Sequence, residues 1–462
     1  MMNIKANIDF SKIIGKMKPL HGVNNSPMAL NRPVPGFAEA GIPFCRLHDS
    51  AGAFGGAHFV DINNVYPNFD ADPSCPESYD FAFTDAYVKS IEDSGTEVFY
   101  RLGCTIENNF RIKAYNIYPP KDFAKWAEIC AGIVRHYTKG WGNGFNYRMR
   151  YWEIWNEPEN PPMWQGTKEQ FFELYRTAAR RLKAEFPEIK VGGYASCGFY
   201  AVNRPNMPDF HKSFITWFHD FLDYLRNPET SAPLDFYSWH LYTNNPDEIR
   251  IHSDYVAKTL REKGFNDTES IFNEWNYLDE NPKPDVRWVR MKNNYGASFV
   301  AAAFAILQYS DTDKAMYYDA LPTRSYCGLY EFPSFHTTPT YDTFKAFNAL
   351  YRLGNQCSAE VTDPKIKLIA AGDGRNAAIL VANHNADCCP LHMEIKGGQL
   401  KHCLITDAVR RSEPVDFNGA SLELPPYSVA LISSFDINED ADGSAASVQQ
   451  FKTNHAGLDS GN

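Results

Sequence analysis

The sequence contains no run of about 18 apolar residues, the length a membrane-spanning helix needs, and so no membrane partner is expected. It has no excess of positive charge: 45 Lys and Arg against 56 Asp and Glu leave a net charge of −11, the opposite of a nucleic-acid footprint. No Cys-x-x-Cys, His-Glu-x-x-His or Gly-x-Ser-x-Gly pattern occurs, which speaks against a zinc site, a metalloprotease helix and a serine-hydrolase elbow. No metal and no cofactor is expected. Residues 1–18 lack the apolar core of a secretory signal, so the expectation is a cytoplasmic protein or a secreted one already trimmed. Ten cysteines are scattered, several of them inside apolar runs, as suits reduced buried thiols better than a disulfide framework. No internal repeat stands out, and oligomeric state is left open.

Aromatic residues, by contrast, are plentiful at 15% of the chain, serving core volume and also offering flat platforms for sugar rings. At 462 residues the chain suits one large barrel with a smaller module. Eight β-like runs recur from residue 20 onward: 20–24, 44–48, 97–102, 149–155, 190–194, 236–241, 270–274 and 314–318. Helical segments lie between them, among them 122–137, 168–185, 212–225 and 295–309. This alternation predicts an α/β fold, a (β/α)8 TIM barrel over 20–350. A Gly/Asn/Asp/Pro-rich insertion at 49–80 is long enough to overhang an active site. From about 351 to 436 short runs split by Gly, Asn and Pro predict an accessory antiparallel β-sandwich. Residues 1–19 are read as an arm or as a strand of that sandwich, and 437–462 as a disordered tail.

Active sites of such barrels gather at the C-terminal ends of the strands. The fourth run, Trp152-Glu-Ile-Trp-Asn-Glu-Pro158, stops on Pro158, which has no N–H for a central strand, so Glu157 sits at a strand tip. Glu274 ends the seventh run, 117 positions later. Strict alternation pairs Glu274 with Phe272, His240 with Ser238 and Tyr242, and His48 with Arg46, giving a mouth of Glu157, Glu274, His240, Tyr242 and His48 above Arg46. Glu153 should also point inward and needs Arg46 or Arg101 as a partner, because an unpaired buried charge costs several kcal/mol. Asn156 has the wrong parity and reaches the mouth only through a bulge or sharp turn. One of Tyr317 and Tyr318 should face the mouth. Taken singly, each residue has an ordinary structural reading; the pair of carboxylates on two strands of one barrel changes the balance.

Two carboxyl groups at such a mouth suit glycoside cleavage, one as acid and base and the other as nucleophile at a separation of ~5–5.5 Å, or with inversion through a water at ~6.5–9.5 Å, the acid's pKa being raised by burial and the neighbouring carboxylate. The fourth run resembles the acid/base strand of the retaining clan A glycosidases, Phe272-Asn-Glu-Trp-Asn276 their nucleophile strand, and His240-Leu-Tyr242 their strand-six His-x-Tyr. His21-Gly-Val-Asn-Asn25, the stretch Asp61-Ile-Asn-Asn-Val-Tyr-Pro-Asn-Phe-Asp-Ala-Asp72 and Tyr79-Asp-Phe81 narrow the resemblance to glycoside hydrolase family 39, which holds β-xylosidases and α-L-iduronidases. The resemblance implies Glu157 as acid/base, Glu274 as nucleophile, Asn156, His240 and Tyr242 as support, and an oligosaccharide or glycoside as substrate. Exo action rests on the overhanging loop. One departure concerns specificity. The family's β-xylosidases carry adjacent acids after strand eight, whereas this chain reads Tyr318-Asp-Ala-Leu-Pro-Thr-Arg-Ser-Tyr-Cys-Gly-Leu-Tyr330, with Asp319 and Arg324 the nearby charges. An arabinosidase, iduronidase-like or β-glucosidase specificity therefore stands beside the xylosidase reading, and a non-catalytic sugar-binding protein is the alternative outside enzymes.

Overall fold

A computed structural model describes residues 4–27, 36–48, 60–105 and 117–437. Strand β1 (Ile4–Lys16) is followed by eight short parallel strands: β2 (Gly22–Asn24), β3 (Phe44–Leu47), β4 (Glu97–Leu102), β5 (Tyr151–Ile154), β6 (Lys190–Ser196), β7 (Phe236–Thr243), β8 (Glu269–Tyr277) and β9 (Lys314–Tyr317). They close in sequence order, β9 pairing back onto β2, into the expected TIM barrel. All eight β-like runs of the sequence are barrel strands.

The helices between them are stopped and started by local chemistry. Asp122 caps helix Phe123–Lys139 by accepting from the Lys125 N–H, and Gly140 ends it in the left-handed conformation. Thr167 and Gln170 form a capping box at the start of helix Lys168–Glu185.

Inside the barrel the side chains stack in layers. The lowest is apolar: Phe44, Phe99, Tyr151, Phe236, Ile271 and Met316, one from each of six strands. Above it the barrel turns polar, with Arg46, Glu153, Ser238 and Asn273 all buried. Ile271 and Asn273 face inward on β8, whereas Phe272 stacks on Trp239 and Trp275 in the cluster between strands and helices. Phe272 and Glu274 therefore do not share a face. A register shift pairs Trp239 with Phe272 but His240 with Glu274, so one extra residue, Asn273, is inserted opposite β7. That bulge carries Glu274 to the inner side as well.

Strands β10 (Asn355–Val361), β11 (Ile366–Gly372), β12 (Ala377–Asn383), β13 (Cys389–Lys396), β14 (His402–Thr406), β15 (Glu413–Pro414), β16 (Ser421–Leu424) and β17 (Ser428–Ser433) join β1 in one curled sheet of nine strands. It is antiparallel except for β1 and β13. The alternate residues Ile4, Ala6 and Ile8 of β1 share one apolar core with β11, β12, β13, β16 and β17, which means the sheet folds over on itself. The opposite face of β11, β12 and β17, carrying Ile369, Leu380 and Leu431, joins the barrel's core. Helix Asn294–Gln308 lies between barrel and sheet and is buried on every side, which its alanines at 301, 302, 303 and 305 permit.

All ten cysteines are free, eight of them buried. Among the described residues no helix is long and apolar enough to cross a membrane. The proposed tail from 438 onward and the part of the insertion at 49–59 lie outside the described residues.

Candidate active site

The site begins at the tip of β5. Trp155 and Glu157 both adopt left-handed backbone conformations, φ 72° and 45°, which non-glycine residues seldom occupy. They are held there by neighbours: the Trp155 N–H donates to Leu102 O at 2.7 Å and the Glu157 N–H to Ala195 O at 3.0 Å. Gly103, at φ 151°, lets β4 end against the Trp155 ring, where a Cβ would lie 3.1 Å from it. Two reversals flanking Asn156 break the alternation, so Asn156 and Glu157 both reach the barrel interior.

Arg46 organises the layer below. Its Nε donates to Glu153 at 2.7 Å, Nη1 to Asn24 at 2.9 Å and to Glu274 at 3.1 Å, and Nη2 to Asn156 at 2.7 Å. Arg46 and Glu153 are completely buried. Glu153 also accepts from Ser238 at 2.6 Å and Asn273 at 2.5 Å, so both of its oxygens are satisfied. Arg101 instead pairs with Asp61 at 2.7 Å, which settles the choice between the two arginines for Glu153.

Glu274 Oε1 accepts the Tyr242 hydroxyl at 2.8 Å, while Oε2 faces Arg46, His240 Nε2 at 3.6 Å and His48 Nε2 at 3.7 Å. Burial and the Glu274 charge push the Tyr242 hydroxyl well up, so it stays a donor. On the other side of the same ring, His240 Nδ1 lies 2.8 Å from Glu157 Oε1. Glu157 Oε2 accepts from Asn160 at 3.2 Å. Burial pushes the Glu157 carboxyl up, but the hydrogen bond and charge of His240, with help from Asn160 and the Cys197 thiol, outweigh it and hold the carboxyl below its ordinary range. The expectation that burial and the neighbouring carboxylate raise it does not hold, because sequence parity does not show that His240 bonds it. One ligand-type atom each of Glu157, His240 and Glu274 lie within 4.8 Å of one another. Among the described residues no other trio converges this way, and Tyr242 and Arg46 are already bonded to Glu274.

Of the two tyrosines ending β9, Tyr317 packs outward on Trp275 and Phe344, and Tyr318 meets Tyr242 and Tyr326. Tyr326 also packs at a tilt against Trp288, so three tyrosines and a tryptophan form an aromatic wall beside Glu274. Asp319 is buried at the β9 tip; its Oδ2 accepts from Asn25 at 3.3 Å, and burial pushes its carboxyl well up. Arg324 is exposed, and among the described residues no hydrogen bond or ion pair ties it to the carboxylates. Sequence reasoning missed Asn24 and Asn273, which lie below the pair, Trp288, in the helix Pro284–Met291 after β8, and Tyr326, on the loop after β9. It also missed Glu159, buried two residues beyond Glu157. Parity along a strand cannot assign residues beyond its end, and Asn273 was hidden by the bulge.

The family model for glycosyl hydrolases family 39 matches residues 57–386. A curated β-xylosidase of Geobacillus stearothermophilus is 25% identical over 353 residues, 69% of this chain and 65% of that protein. A second, of Caldicellulosiruptor saccharolyticus, is 24% identical over 69% of this chain and 66% of its own length. This chain thus spans just under two thirds of both. Among solved structures, a glucosidase from Croceicoccus marinus aligns with a TM-score of 0.75 at 22% identity, covering 94% of this chain and 99% of that one. A β-xylosidase from Caulobacter crescentus aligns at 0.67 with 17% identity, covering 93% and 99%. With the family model spanning most of the barrel and both carboxylate strands, the chain belongs to glycosyl hydrolases family 39.

Proposed function

We propose that this protein is a retaining, exo-acting glycosidase of β-xylosidase type, with Glu274 as nucleophile and Glu157 as acid/base. The observation that carries the reading is the approach of Glu157 and Glu274 about one histidine, with an oxygen of each within 4.8 Å of the other. Retaining enzymes hold their carboxyl groups ~5–5.5 Å apart, and inverting ones leave roughly 6.5–9.5 Å for a water.

Glu274, gripped by Arg46 and Tyr242, is placed to attack the anomeric carbon. Glu157 gives the proton of its carboxyl group to the departing oxygen, while the His240 Nδ1–H donates to its Oε1. Once it has been given up, the same hydrogen bond stabilises the Glu157 carboxylate, which then takes a proton from the water that cleaves the glycosyl-enzyme ester. The aromatic wall of Tyr242, Tyr318, Tyr326 and Trp288 suits a sugar face. Support for xylose comes from the two curated relatives named β-xylosidases. A second reading, the same machinery on another sugar, is favoured by the loop after β9, where Asp319 is a single buried acid and Arg324 is exposed.

A panel of nitrophenyl glycosides, read by release and by product anomer, tests activity, sugar and stereochemistry together. In Glu274→Ala, hydrolysis should be abolished and added azide should restore turnover, giving the glycosyl azide of inverted configuration. Undiminished hydrolysis in that variant overturns the nucleophile assignment.

A further inference from the structure

Two residues beyond Glu157, a second carboxyl group is buried behind the candidate acid/base. Glu159 is 5% exposed. Its Oε1 accepts the Ser196 hydroxyl and the Cys197 N–H, each at 2.7 Å, while its Oε2 is buried with no hydrogen-bond partner among the described residues. Cys197 ties the two carboxyl groups together: its backbone serves Glu159 and its thiol hydrogen-bonds Glu157. The neighbouring Ala195 carbonyl accepts the Glu157 N–H. The loop that presents Glu157 is thus fastened to the tip of β6 by two clasps, one from Glu157's own backbone and one from the Glu159 side chain.

Resting on the proposed function, we propose that Glu159 is a positioning residue for Glu157: held as a neutral carboxylic acid, it pins Ser196 and Cys197 and so keeps Glu157 turned towards His240. The titratable groups facing it are Glu157 from its own loop, Tyr194 from β6, Cys197 just past the end of β6, and Tyr237 from β7, with His240 beyond Glu157. None of those in contact is a cation, and Glu157 adds repulsion to any charge on Glu159. Burial chiefly, then the Glu157 charge, push its carboxyl up to about 8. Above that range an ionised Glu159 puts a second negative charge beside the acid/base and loosens the clasp. A neutral acid in this position has a function that a glutamine can mimic, because Oε1 remains an acceptor for Ser196 and Cys197.

The test uses Glu159→Ala and Glu159→Gln in the full chain, with aryl glycosides of good and poor leaving groups and with pH-difference infrared spectra. Glu159→Ala should lose kcat about tenfold or more on poor leaving groups, which need the proton, and far less on good ones; Glu159→Gln should recover most of the loss. The wild type should share the selective loss above about pH 8, where Glu159→Gln should not. In the infrared, a protonated carboxyl band present in the wild type at pH 7 should vanish in Glu159→Gln and fade above about pH 8; the other raised acids, such as Asp319, cancel between the two proteins. Equal loss on all leaving groups, or no difference in the band at pH 7, overturns the proposal. If the wild type cleaves no glycoside in the panel, the functional reading fails by itself, and the infrared band still decides whether Glu159 is held neutral.

Discussion

Glu157 and Glu159 stand two residues apart on one loop, yet their surroundings push them in opposite directions. His240 bonds Glu157 and draws its carboxyl down, whereas Glu159 meets only neutral donors and is pushed up to about 8. The difference has a consequence for stability. Native Glu159 keeps a proton that the unfolded chain releases near an ordinary glutamate pKa of about 4.3. Between that value and about 8 the folded state binds more protons than the unfolded one, so Glu159 makes stability fall as pH rises through that window. Glu159→Gln should therefore gain in melting temperature relative to wild type as pH is raised from 5 to 8; a constant difference across that range would contradict the buried acid. For Glu157, lowered though it is, the expected signature is chemical. Glu157→Ala should still be glycosylated by substrates with good leaving groups and then stall, visible as a burst of nitrophenol followed by a rate reduced about a hundredfold or more. Equal loss on good and poor leaving groups would count against the acid role.

Among the elements, β5 and β8 both depart from regular geometry where function would need it. Left-handed residues flank Asn156 on one, and a bulge at Asn273 re-aims Glu274 on the other. Both departures feed Arg46, whose guanidinium bonds Asn156, Glu153, Asn24 and Glu274 and thereby holds β2, β3, β5 and β8 together at one height. Arg46→Met would leave Glu153 buried with its hydroxyl and amide donors but no cation. Breaking such a pair from one side costs ~3–5 kcal/mol. The expected result is a loss of that order in denaturant unfolding, with kcat on aryl glycosides reduced as well, because Glu274 loses a donor. Stability within about 0.5 kcal/mol of wild type would show that the barrel's polar layer does not depend on Arg46.

For the molecule as a whole, β1 joins the two ends of the chain. It lies between β10 and β13, pairing antiparallel with one and parallel with the other, and contributes Ile4, Ala6 and Ile8 to the core of the curled sheet. The sheet in turn covers the alanine-rich face of helix Asn294–Gln308, with Tyr427 stacked on Tyr295 at 4.0 Å and Lys367 paired with Asp247 at 2.7 Å. Deleting residues 4–16 would open two unpaired edges inside one sheet and uncover its apolar face. A lower melting temperature and increased aggregation are expected, measured by thermal unfolding and light scattering; an unchanged melting temperature would mean that β10 and β13 close the gap without β1.

Eight strands, their order and the two carboxylate tips were legible in the sequence, because they are written in local signals: short β-rich runs, proline and asparagine at the ends, and helical periodicity between. Parity along β3 and β7 correctly turned Arg46, His48, His240 and Tyr242 inward, since those strands keep their alternation through these residues. It failed on β8, where the inserted Asn273 faces inward before Glu274 does. A bulge arises from pairing with a neighbouring strand and leaves no mark in its own run of residues. The same holds for the choice of Arg46 over Arg101, for the lowering of Glu157 by His240 and for the burial of Glu159. Each depends on which groups from distant parts of the chain come within a few ångströms, and only the closed barrel decides that.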